Sequence, residues 1–123
     1  MPATFDEMQI SQLVDRFYSR ARKDDLLGPI FSAAVGDNWD LHLTKMKDFW
    51  SSIMLASRKY KGNPMPAHVL LPRLAPLHFE RWLALWRDTA AEVCSGPSAA
   101  IYVQKAEFMA ERLLSAIELH HAG

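Results

Sequence analysis

The chain has 123 residues, 50% of them hydrophobic, and its 14 lysines and arginines balance 14 aspartates and glutamates. That length suits one domain with one modest core, and the even charge argues against both the basic face of a nucleic-acid binder and the polybasic patch of a membrane anchor. No apolar run reaches transmembrane length, Met1 to Gln9 has two acids and no basic leader segment, and Cys94 is the single cysteine, so a cytoplasmic, reducing location is expected.

Thr4 and Glu7 have the spacing of a capping box, with Thr4 at the N-cap. The helix that follows sets Ile10, Leu13, Val14, Phe17, Tyr18 and Ala21 on one face. Asp24, Asp25, Gly28 and Pro29 read as a break, and Leu26, Leu27, Ile30 and Phe31 make it an inward-packed turn. Gly36, Asp37 and Asn38 start a second long helix that runs to about Ser57. Its apolar stripe is wide: Trp39, His42, Leu43, Met46, Phe49, Trp50, Ile53 and Met54. An irregular stretch follows, in which Pro64, Pro66, Pro72 and Pro76 bracket His68. A third helix after Pro76 carries Phe79, Trp82, Leu83, Trp86 and Ala90 in helical spacing. Cys94 to Pro97 breaks the chain again, with Ser95 or Gly96 as N-cap and Pro97 as the first helical residue. The last helix aligns Tyr102, Ala106, Met109, Leu113 and Ile117. Nothing alternates with period two for long. The expected fold is all-α, a single domain over residues 1–123 with four main helices and a gap between the second and the third.

His68 stands in a stretch too apolar for a free loop, among Met65, Val69, Leu70 and Leu71. About 20 residues of irregular chain in so small a domain point to a site. A neutral imidazole is a good iron or zinc ligand. A protein zinc site needs three or four ligands, and the chain has no His-Glu-x-x-His and no Cys-x-x-Cys. His78, at a helix start, reads as solvated; His120 and His121 read as a fraying tail. A metal at His68 therefore brings its other ligands with it, as the iron of a porphyrin does; a surface histidine in a loop is the bland alternative. Around the second helix, Met46, Phe49 and Ile53 lie within about 40° of His42. His42 is either a boundary residue that reaches water or a gate at a pocket mouth. Tyr18 and Trp82 face inward, and each has a polar tip that needs a partner when buried. That partner is a nearby carbonyl, or the partial negative charge of a ligand held in an apolar pocket. No nucleophile elbow, phosphate-binding glycine loop or Cys–His pair is present.

Five segments carry a family resemblance. They are Phe17-Tyr18, Leu27-Gly28-Pro29-Ile30-Phe31, the run from His42 to Ser52, the run from Tyr60 to His68, and Phe79-Glu80-Arg81-Trp82-Leu83. In order and spacing they resemble the truncated haemoglobins, specifically the bacterial group III or P-type. The chain also lacks the glycine–glycine pairs of groups I and II, and Arg58-Lys59 takes the place of a Gly-Arg pair common in group III.

The resemblance implies a globin-like two-over-two helical sandwich around haem b. His68 corresponds to the proximal iron ligand of a five-coordinate haem. Tyr18 and Trp82 match residues that hydrogen-bond the bound ligand, and His42 matches a distal histidine that swings and gates access. Phe31 matches an aromatic that wedges the porphyrin. Met46, Phe49 and Ile53 would line the walls, with Phe79 also in the cofactor-binding set. Tyr60 and Lys61 would meet the propionates, with Lys45 as a further basic residue at the rim. The implied ligands are dioxygen, nitric oxide or other diatomics. The implied roles are oxygen binding or transport, nitric oxide dioxygenation and peroxide chemistry; turnover would draw on an external reductase. The competing reading is a cofactor-free helical interaction module whose aromatic stripes are only core.

Overall fold

The computed structural model describes residues 3–60, 74–94 and 96–122, with the side chains of the last stretch described through Glu118. Among these residues the chain forms five helices. Helix α1 spans Glu7–Ala21, and its N-cap is Asp6 rather than Thr4: the Asp6 carboxylate accepts from the Gln9 N–H at 2.7 Å. A carboxylate suits the positive end of a helix better than a neutral hydroxyl. Thr4 is engaged elsewhere, its N–H and C=O both bonded to the Ser98 hydroxyl at 3.1 and 2.9 Å.

A short helix stands where the sequence pattern suggests a break. Residues Gly28–Val35 form α2, where the breakers Gly28 and Pro29 suggest only a turn. Pro29 lies in the first helical turn, the position at which a missing N–H costs nothing. Gly28 is needed for close approach, because a Cβ there would lie 2.8 Å from the Arg22 carbonyl oxygen.

Helix α3 spans Trp39–Leu55 and stops at Ala56, which adopts a left-handed conformation. Helix α4 spans Pro76–Val93, and α5 spans Gly96–Ala122, so that Pro97 is the second residue of α5 and His120 and His121 still lie on it. Helices α1 and α3 form one packed pair, α4 and α5 the other, and α1 joins the pairs through α4. The two-over-two arrangement follows.

The core lies where α1, α4 and α5 meet. Trp86 is its centre: its ring stacks on Trp50 at 4.5 Å and meets Phe17 edge-on at 5.1 Å. Its indole N–H donates to the Tyr102 carbonyl at 3.2 Å, and the Tyr102 hydroxyl donates to Gln9 at 2.7 Å. Both bonds satisfy polar tips that burial would otherwise strand. Helix α3 is different. Of its wide apolar stripe only Trp50, with Ser51 beside it, is buried. His42, Met46 and Phe49 face a cavity, and the others are at most half-buried against the core.

Candidate functional site

The cavity measures about 270 Å³ and is walled by all five helices. Helix α1 contributes Tyr18; α3 contributes His42, Met46, Phe49 and Trp50; α4 contributes His78, Phe79 and Trp82. Met109, Ala110 and Leu113 close it from α5. Among the described residues no Asp or Glu lines it, and the polar groups are the Tyr18 hydroxyl, two imidazoles and two indoles.

Tyr18 is 6% exposed. Its ring meets Phe31 at 5.4 Å and His42 at 5.1 Å, both edge-on. Desolvation pushes its hydroxyl well above the usual phenol range, so the proton stays on the oxygen and the group remains a donor. Trp82 lies parallel to Trp86 at 6.0 Å and edge-on to Phe17 at 5.8 Å, which fixes the plane of its indole. His42 is wedged edge-on between Tyr18 and Trp39, the latter 5.5 Å away and capped by the Arg22 guanidinium at 4.3 Å.

A family model described as bacterial-like globin matches residues 6–115. The chain is 33% identical over 110 residues to the Group 3 truncated hemoglobin ctb of Campylobacter jejuni, with 87% of each covered. The crystal structure of group III truncated hemoglobin from Campylobacter jejuni matches with a TM-score of 0.88 at 30% identity, covering 95% of each chain. The chain is a group III truncated haemoglobin. The family implies haem-based ligand binding, and the residues of this truncated haemoglobin fit that group. Among the described residues no cluster of three His, Cys, Asp or Glu could hold a bare metal ion. An apolar, aromatic-walled cleft with few polar tips instead suits a metal that arrives inside a planar organic ligand. No helix among the described residues is long and apolar enough to cross a membrane.

The structure brings Tyr18, Phe31, His42, Met46, Phe49, Phe79 and Trp82 to the wall of one cavity. Ile53 is not on that wall; it packs, half-buried, against the core. Tyr60 stands behind the wall, edge-on to Phe49 at 5.2 Å, with its N–H on the Ser52 hydroxyl at 2.9 Å. Lys45 is exposed on α3. His68 and Lys61 lie outside the described residues.

Phe31 is on the wall as the resemblance implies, and Leu27 and Ile30, read from the sequence only as packing inward, join it there; Ala34 and Val35, further along α2, are not foreseen from the sequence. His78 lines the cavity as well, which corrects its reading as solvated. Its Nδ1 accepts from the Ala75 N–H at 3.0 Å, which places the ring proton of the neutral form on Nε2.

Proposed function

We propose that this truncated haemoglobin holds haem b through His68 and retains a small diatomic ligand, dioxygen or nitric oxide, against Tyr18 and Trp82. The observation that carries the reading is that a buried, neutral phenol and an indole fixed by stacking share one apolar cavity. When bound, the haem would supply an iron centre that takes up diatomic ligands.

The protein's residues supply the rest. Tyr18 and Trp82 each offer a hydrogen-bond donor. Preorganised donors in a dry site stabilise negative charge more than water does, since they need not reorient. Phe31, Met46 and Phe49 exclude water from the same space. His42 stands beside Tyr18 as a gate, with Trp39 behind it. Leu74 lines the cavity, and His68 precedes it by six residues in the sequence. Lys61 and Tyr60, at the start of the same segment, are candidates for the propionate side.

Strong retention suits a reaction on the held ligand more than its transport. Nitric oxide dioxygenation or peroxide chemistry fits, with electrons from an external reductase. The single Cys94 suits a reducing, cytoplasmic setting. A cofactor-free module is disfavoured by the cavity, because Phe31, Phe49, Phe79 and Trp82 line a hollow instead of closing it. The test is dioxygen dissociation from the ferrous protein. Replacing Tyr18 by Phe removes a bond to a charged group of about 1.5–3 kcal/mol, so release should accelerate tenfold or more. Equal rates in the two proteins would remove Tyr18 from this role.

A further inference from the structure

We infer that Asp24 and Arg81 form a positioning clamp that ties α2 to α4 and so sets the width of the cavity between Phe31 and Trp82. The inference rests on the reading of that cavity as a haem site.

Helix α2 supplies much of the cavity wall, yet none of its residues is buried. Its apolar anchors are the buried N-cap Leu27 and the half-buried Phe31, and an element with so few buried residues sits toward the low end of local stability unless something else fixes it. Asp24 does. Its side chain is 10% exposed, and one carboxylate oxygen accepts from the N–H groups of Leu26 and Leu27 at 3.0 and 2.9 Å. Its main-chain oxygen accepts from the Gly28 N–H at 2.8 Å. The first turn of α2 therefore hangs on this one residue, with a negative charge at the helix end that favours it.

The other carboxylate oxygen accepts from Arg81 Nη1 at 2.7 Å. Arg81 adjoins Trp82 and lies one turn after His78, both of which line the cavity. The bond thus spans from the start of α2 to the turn of α4 that bears the indole donor. Arg81 is 46% exposed, but the carboxylate it meets is only 10% exposed, and a charge-assisted bond to such a carboxylate is stronger than an ion pair open to water on both sides. The Lys47–Asp15 pair between α3 and α1, 32% and 53% exposed, is of the weaker kind and serves as a control.

The variants Arg81→Met and Asp24→Asn, their combination, and Lys47→Met test the clamp. The readouts are haem transfer from the loaded protein to excess apomyoglobin and backbone hydrogen exchange resolved by helix. The expected result for Arg81→Met is haem loss about fivefold faster, with faster exchange in residues 28–35 and unchanged exchange in α1. The double variant should be no worse than Asp24→Asn, because both changes break the same bond. Lys47→Met should match the wild type. Haem loss and α2 exchange within twofold of wild type in Arg81→Met would overturn the clamp. So would additive effects in the double variant, or faster exchange spread over every helix. Failure of the wild type to take up haemin would instead sink the haem reading, and the exchange measurement on the protein as purified would still decide the clamp.

Discussion

Arg58 takes the chain through a left-handed turn at φ 62°, two residues after Ala56 at φ 54°. A side chain with a Cβ costs roughly 1–2 kcal/mol there, and glycine avoids the clash. Arg58 stands where group III chains commonly carry glycine, and the backbone shows why glycine suits the position. Arg58→Gly should raise the unfolding free energy by up to about 1 kcal/mol, since glycine's larger unfolded-state entropy offsets part of the relief. Urea denaturation measures this, and a lower midpoint in the variant contradicts it. Other single residues differ in how far their sequence neighbours reveal them. Tyr18 and Met46 read as inward-facing because their apolar neighbours recur at helical spacing. His78 does not, because a polar ring near a helix start looks solvated until the bond from the Ala75 N–H turns it toward the cavity wall.

Among the elements, α1, α3, α4 and α5 are legible because each is long enough for its apolar period to stand out. Helix α2 has 8 residues, and Gly28 and Pro29 at its front read as breakers when they are starters. The same limit applies to caps. Thr4 and Glu7 have capping-box spacing, but the carboxylate of Asp6 takes the cap, and Glu7 turns to α3. There it accepts from the Ser51 hydroxyl and pairs with Lys59 at 3.2 Å, which joins the first turn of α1 to the end of α3. The Ser51 bond is the largest cause, and together with Lys59 it outweighs the opposing effect of burial and holds the Glu7 carboxyl below its ordinary value of 4.5. The unfolded chain therefore takes up this proton first. The stabilisation is complete above about pH 4.5 and is lost as the pH falls through the lower, folded value. Unfolding free energy measured over an acid series should fall more steeply for the wild type than for Glu7→Gln. Parallel acid limbs for the two proteins would contradict a role for the Glu7 charge at this junction.

At the scale of the whole molecule, the apolar residues divide between a packed core and an open cavity. Helical periodicity alone makes the all-α class legible. It cannot make that division, because core and cavity residues share stripes. Trp82 and Trp86 are one turn apart on the same face of α4, yet Trp86 is buried against Trp50 and Tyr102 while Trp82 lines the cavity. Phe49 and Ile53 are likewise one turn apart on α3, and only Phe49 reaches the wall. What separates them is where the α1–α3 pair crosses the α4–α5 pair, a property of the assembly rather than of any one helix. The hollow left by that crossing is worth keeping open only if something fills it. Titration of the purified protein with haemin, with the His68→Ala variant alongside, tests this most directly. The account predicts a Soret band that saturates at one haem per chain in the wild type and is weak and displaced in the variant. A wild type that stays colourless, or a variant that binds haem with the same affinity and spectrum, contradicts it.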